Sequence, residues 1–186
     1  MPIIYLTGYM CCGKTTLGEA VARLAGWRFI DLDDEVEWHC GLSVTQIFST
    51  LGEAHFRAVE REVLRGIAAT GGTTIVACGG GTPCDEQNRL LMARTGLTVW
   101  LTTEASRIAA RLCLPEHKFK RPKIAALPDD DVLPYVRREL AAREPHYRTA
   151  RLTFDSTRIE DAQETLLTAR RLLALLQKEL SKTDKE

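Results

Sequence analysis

The run Gly8-Tyr9-Met10-Cys11-Cys12-Gly13-Lys14-Thr15 constrains this chain more than any other stretch of it. It completes a G-x-x-x-x-G-K-[ST] pattern, and the residues around it have the periodicity that the pattern needs. Ile3, Ile4, Tyr5 and Leu6 precede it as a short apolar strand, and Leu17, Val21, Ala22 and Leu24 follow it at helical spacing. A loop between strand and helix, lined with N–H groups and headed by the positive end of a helix dipole, cradles phosphate. Gly8, Cys11, Cys12, Gly13, Lys14, Thr15 and Thr16 are therefore candidate nucleotide-binding residues. Lys14 would reach the β and γ phosphates and the Thr15 hydroxyl would ligate Mg²⁺. The bland alternative, a Gly-rich turn that only joins strand to helix, leaves the agreement of pattern and context unexplained.

Beyond the loop, apolar runs alternate with helical patterns. The spacing predicts strands over 3–7, 27–32, 73–78, 97–101 and 151–154. It predicts helices over 15–25, 43–69 with a kink at Gly52, 86–94, 104–112, 131–143 and 161–180. Ser43 and Gln46 form a capping-box pattern at the start of the second of these. Strands that read as continuous apolar runs and alternate with helices imply an α/β fold, a parallel sheet covered on both faces. The chain reads as one domain over 1–180 with a polar tail over 181–186. Residues 114–130, with three prolines, a basic cluster and no periodicity, are long for a plain connection and read as a functional loop or lid.

Charge narrows the partners. Lys plus Arg and Asp plus Glu both total 25, so bulk attraction to nucleic acid or anionic membrane is absent. No apolar run approaches the length of a spanning helix, and the opening MPIIYLTGYM has neither a basic stretch nor a long apolar one, which predicts no secretory signal. Six scattered cysteines without C-x-x-C spacing read as reduced thiols of a cytoplasmic protein, with no structural metal. Cys11 and Cys12 sit beside a helix N-terminus and Lys14, an environment that lowers thiol pKa. A guanine-reading N-K-x-D stretch is missing, and the chain is too short for a motor or transporter ATPase with a second domain. A small-molecule kinase remains.

The acceptor side must then come from the rest of the domain. Asp31 and Asp33 are two apart at the end of the second expected strand, which puts both side chains on one face beside the phosphate loop. There one carboxylate can hold Mg²⁺ through water while the other positions or deprotonates a hydroxyl. A capping pattern, Asp34 with Glu37, competes for this stretch; it accounts for Asp34 and leaves Asp31 unexplained. Arg57 lies four residues after Glu53, and an i,i+4 ion pair is its bland reading. Gly79, Gly80 and Gly81 offer bare backbone to which a hydroxyl or phosphate can come close.

Gly8 to Thr15, Asp31-x-Asp33, Gly52-Glu53-x-x-Phe56-Arg57-x-x-Glu60, Gly79-Gly80-Gly81, Arg121-Pro122 and Arg143-x-Pro145-x-Tyr147 follow one another in order, and in this the chain resembles the shikimate kinases. The resemblance implies a three-layer α/β/α P-loop kinase fold with a five-stranded parallel sheet, an acceptor-binding region near 33–61 and a lid near 112–124. It implies a cytoplasmic monomer that uses ATP and Mg²⁺ to phosphorylate shikimate at its 3-hydroxyl, a step of aromatic amino acid biosynthesis. It makes Lys14, Asp33 and Arg121 catalytic, and Asp31 a magnesium ligand through water alongside Thr15. Asp33, Arg57, Arg143 and the three glycines would bind shikimate, Arg57 and Arg143 through its carboxylate. Arg121 would neutralise charge on the transferring phosphoryl, and Arg111 and Arg158 would flank adenine. Cys11 stands where the family often has Gly, the stretch 111–121 is longer than usual, and Lys123 replaces a common apolar residue. A kinase for another hydroxy acid such as gluconate, or a catalytically silent nucleotide-binding regulator, are the alternatives.

Overall fold

The computed structural model describes residues 3–119 and 121–183; residues 184–186 of the expected tail lie outside the described residues. Five strands, β1 (Ile3–Thr7), β2 (Arg28–Asp31), β3 (Thr74–Ala77), β4 (Gly96–Thr102) and β5 (Leu152–Asp155), form one parallel sheet in the order β2-β3-β1-β4-β5. Among the described residues ten α-helices join them: α1 (Lys14–Ala25), α2 (Leu32–Cys40), α3 (Val44–Thr50), α4 (Gly52–Ala68), α5 (Glu86–Thr95), α6 (Ala105–Cys113), α7 (Pro115–Lys118), α8 (Pro122–Ala125), α9 (Asp129–Tyr147) and α10 (Ala162–Thr183). β1 and β3 are buried along their whole length, as strands covered on both faces must be. In β1, Ile4 and Leu6 face a core shared with Leu17 and Val21 of α1 and Leu172 and Leu176 of α10. Ile3 and Tyr5 face the opposite core, with Leu64 and Ile67 of α4 and Met92 of α5. The result is the α/β/α architecture of the P-loop kinases.

β1 lies between β3 and β4, so the chain leaves the sheet in opposite directions on either side of it. Ligands of open parallel sheets settle in the crevice at such a switch point, beyond the carboxyl ends of the strands. Two smaller clusters flank that crevice. Val36, Ile47 and Phe56 tie α2, α3 and α4 into a helical subdomain. Tyr9, Ile108, Leu112, Ile124, Val132, Val136 and Tyr147 join the phosphate loop to α6, α8 and α9.

Four expectations need correction. The helix over 43–69 is two helices: the capping box at Ser43 forms, but α3 ends at Thr50 and Gly52, at φ +83°, restarts the chain in a new direction. The strand over 27–32 stops at Asp31, because Asp31 caps α2, a helix that weak apolar periodicity concealed. The helix over 131–143 starts at Asp129 and continues through Pro134 and Pro145 to Tyr147; buried Val132, Val136 and Tyr147 hold it past both prolines. The stretch 114–130 carries two single-turn helices, α7 and α8, and Ile124 of α8 is buried in the α6–α9 cluster.

Candidate active site

Between β1 and α1 the chain wraps through Gly8–Gly13, and α1 carries no acidic residue in its first turn, which leaves its N-terminal N–H groups and dipole open to an anion. Lys14 turns back over the loop: its Nζ donates to the carbonyls of Gly8 (3.0 Å) and Tyr9 (2.9 Å). Cys11 sits in the left-handed region at φ +57°, a conformation that costs a residue with a Cβ about 1 kcal/mol or more and explains why glycine suits this position. At Cys11 the thiol expectation is reversed. Burial pushes Cys11 upward from its ordinary pKa against the pull of Arg121 and Lys14, and Cys12 is buried.

The loop is fastened from behind. Arg111, buried, donates to the carbonyls of Cys11 (2.9 Å) and Thr157 (2.8 Å) and pairs with Glu160 (2.9 Å). Ser156 Oγ and Thr103 Oγ1 both donate to the Cys12 carbonyl, at 2.8 and 3.3 Å. Arg111 thus braces the loop from within the protein, while Arg158, on the same turn as Thr157, is exposed. Ser156 and Thr103 carry no motif, so nothing in the sequence marks them out.

At the rim, Thr15 Oγ1 donates to Asp31 Oδ2 (2.7 Å) and the Asp33 N–H donates to Asp31 Oδ1 (3.1 Å). Asp31 is thus the N-cap of α2, and Asp33 lies in the first helical turn, not on the strand as expected. The helical turn still leaves the two carboxylates close enough to feel each other's charge. A hydroxyl and a carboxylate oxygen side by side suit a hard divalent cation such as Mg²⁺, which takes few protein ligands and shares the rest with phosphate and water. The described residues contain no cluster of three or more His, Cys, Asp or Glu suited to a metal. Asp33 is raised from 3.8 to about 6, first by burial, then by Asp31 and Glu60, with Lys14 and Arg57 opposing.

Opposite these groups run Gly79, Gly80 and Gly81, at the end of β3. A Cβ on Gly79 would stand 2.8 Å from Asp33 Oδ1, one on Gly80 would stand 3.7 Å from Arg143 NH1, and one on Gly81 would meet the Arg57 guanidinium. The three glycines therefore lie against Asp33, Arg143 and Arg57 in turn. Arg57 does form the bland pair with Glu53 (3.3 Å), but its shorter bond is to Glu60 (2.9 Å). Glu60 is fully buried and also accepts from Thr82 Oγ1 (2.6 Å). An unpaired carboxylate there would be costly, so Glu60 holds the guanidinium where it stands. On the other side, the Tyr147 hydroxyl donates to the Gly80 carbonyl (2.6 Å), and Arg143 pairs with Glu139 (3.0 Å). Glu60 and Tyr147 belong to the motifs quoted above, yet motif membership alone did not assign them a task. Arg121, between α7 and α8, donates to the His117 carbonyl (2.9 Å) and lies near enough to Cys11 for its charge to act there.

The chain is similar to known proteins in sequence and in backbone. The shikimate kinase family model matches residues 10–174. A shikimate kinase of Bacteroides thetaiotaomicron is 37% identical over 94% of this chain and 98% of its own. The crystal structure of a shikimate kinase from that organism superposes with a TM-score of 0.88 at 36% identity, covering 95% of this chain and 98% of its own. A shikimate kinase from Acinetobacter baumannii, solved in complex with shikimate, gives a TM-score of 0.80 at 31% identity over 96% and 94% of the two chains. Likeness of this extent, along nearly the whole chain and at both the sequence and the backbone level, makes this protein a member of the shikimate kinase family.

Proposed function

We propose that this chain transfers the γ-phosphoryl group of ATP to the 3-hydroxyl of shikimate, giving shikimate 3-phosphate and ADP, and that it works as a cytoplasmic monomer. One observation carries the reading: Asp33, Arg143 and Arg57 line successive residues of the Gly79–Gly81 run, beside the phosphate loop. That set matches an acceptor with a carboxylate at one end and a hydroxyl at the other. The guanidinium forks of Arg57 and Arg143 suit the carboxylate. Both keep their charge: the carboxylates of Glu60 and Glu53 hold Arg57 above its ordinary pKa against its burial, and Arg143, beside the Glu139 carboxylate, is likewise held above its ordinary value. Asp33 takes or orients the hydroxyl proton, and its raised pKa brings its basicity closer to neutral pH. Lys14 holds the β and γ phosphates, and Arg121 comes over them with the lid. Thr15 and Asp31, the latter through water, would hold Mg²⁺, which when bound neutralises charge on the β and γ oxygens. Positioning and fixed charge supply most of the acceleration, and lid closure keeps water from the phosphoryl group.

ADP release by the purified protein with Mg-ATP, compared across shikimate, quinate, gluconate and nucleoside monophosphates, tests this directly. Release with shikimate alone is expected. Release with gluconate instead would move the chain to another hydroxy acid, and ATP binding without acceptor-dependent release would make it a silent regulator.

A second test is steric. A Cβ on Gly81 would overlap the Arg57 guanidinium, which is tethered to buried Glu60 and cannot move without breaking that bond. Gly81→Ala is expected to raise the KM for shikimate roughly ten-fold, about 1.4 kcal/mol, with the KM for ATP little changed. An unaltered shikimate KM would remove Arg57 from the acceptor site.

A further inference from the structure

We infer that Tyr9 is a positioning residue for Arg143, its ring face acting as the platform that presents the guanidinium fork to the acceptor carboxylate; this rests on the reading above that Arg143 binds that carboxylate.

The phosphate-binding pattern asks nothing of the side chain at the second place in the loop, since phosphate is held by backbone there. Tyr9 is nevertheless fully buried, packed in the cluster that joins α6, α8 and α9. The Arg143 guanidinium lies over its ring, 5.3 Å from the centroid. Its hydroxyl finds no hydrogen-bond partner among the described residues. Burial pushes the phenol far above its ordinary pKa, which keeps the ring neutral and its face electron-rich under the cation.

Arg143 is held at one edge by Glu139 (3.0 Å) and on its face by Tyr9. A cation over an aromatic face gains more when both are partly desolvated, and the Arg143 side chain is 27% exposed. Long arginine side chains lose rotamer freedom when they bind, so a guanidinium already laid flat on a ring loses less at that moment. Tyr9 also has a second connection. Its carbonyl accepts from Lys14 Nζ (2.9 Å). One residue thus sets the lysine that grips the donor phosphates through its backbone and the arginine that grips the acceptor through its ring. Arg143 belongs to α9, more than a hundred residues further on, and Tyr9 is where that helix meets the phosphate loop.

Steady-state kinetics of the full chain with Mg-ATP and shikimate test this. Tyr9→Leu is expected to raise the shikimate KM about five- to thirty-fold, the range a partly desolvated cation–ring contact supports. The KM for ATP and kcat should stay within about two-fold of wild type, because the lost interaction serves binding. Tyr9→Phe keeps the ring face and should restore the shikimate KM to within about two-fold of wild type. In an Arg143→Met background, Tyr9→Leu should add no further rise, since its effect runs through Arg143. An unchanged shikimate KM in Tyr9→Leu, equal loss in Tyr9→Phe, or an undiminished effect in the Arg143→Met background each overturns the inference. If Tyr9→Leu shows no cooperative thermal unfolding, Tyr9→Met replaces it and the same split decides. Wild-type protein inert towards shikimate would overturn the functional reading itself, whereas active wild type with an indifferent Tyr9→Leu overturns this inference alone.

Discussion

Replacing Asp33 with Asn is expected to slow phosphoryl transfer roughly 10²- to 10⁴-fold, the span that a positioned general base contributes. The side chain keeps its shape, so the KM for shikimate should change far less than kcat. The pH profile gives a sharper test. Asp33 titrates at about 6 because burial, and then Asp31 and Glu60, disfavour its charge. Only the ionised form can accept a proton, so wild-type turnover should fall as pH drops through about 6. That limb should vanish from the residual activity of Asp33→Asn.

The same shift predicts an effect on stability with a definite sign. The folded protein binds a proton at Asp33 more tightly than the unfolded chain does, since 3.8 rises to about 6. The stability tied to this proton is complete below about 3.8 and is lost as pH rises through about 6. At pH 8 the wild type therefore carries a buried charge that Asp33→Asn does not. The variant should melt at a higher temperature there, and the gain should shrink through pH 6 and disappear near pH 4. A gain that stayed constant across this range would mean that Asp33 is not the titrating group. A functional residue that destabilises its own fold is what an active-site carboxylate held away from water should be.

The phosphate loop and the sheet were legible in the sequence because both are local. Gly8 to Thr15 lies between an apolar strand and a helix, and the core strands are apolar runs that can only be buried. The region around Asp33 was not legible in the same way. Leu32 to Cys40 carries four acidic residues and a wholly exposed-looking face with Trp38, so its periodicity is too weak to separate helix from strand. What starts α2 is Asp31, and Asp31 looked like a metal ligand for the same reason that it makes a good cap: a short carboxylate at a strand end. The aspartate now serves the helix through Oδ1 and Thr15 through Oδ2. Arg111 illustrates the opposite limit. Its partners are the carbonyls of Cys11 and Thr157, and no residue pattern records a bond to a carbonyl a hundred positions away. Tyr9 under Arg143 is invisible for the same reason, being a contact between the first loop and the ninth helix.

Arg121→Met is expected to lower kcat by about 10³-fold, the lower end of what an arginine supplied to a transferring phosphoryl group contributes. The structure gives this residue the means to arrive late. Its guanidinium donates to the His117 carbonyl within the lid, and exchanging a single such bond costs about 1 kcal/mol. On one side of it, Phe119 is 79% exposed. On the other, Ile124 is 1% exposed and anchored in the cluster that also holds Tyr9. At the end of α7, Lys118 ties the lid to the start of α9 through the Leu127 carbonyl (3.0 Å) and Asp129 (2.6 Å). Arg121 thus sits on a short segment tied down by Lys118 on one side and Ile124 on the other, close enough to the phosphate loop to act on Cys11. Charge that reaches the phosphoryl group only on closure stabilises the transition state more than bound substrate, so the loss should fall on kcat while both KM values move only a few-fold. Arg121→Lys keeps the charge but not the fork, and should recover roughly ten-fold of the loss. A fall in kcat of less than ten-fold in Arg121→Met would show that the lid excludes water without supplying charge, and the transition state would then rest on Lys14 and the loop backbone alone.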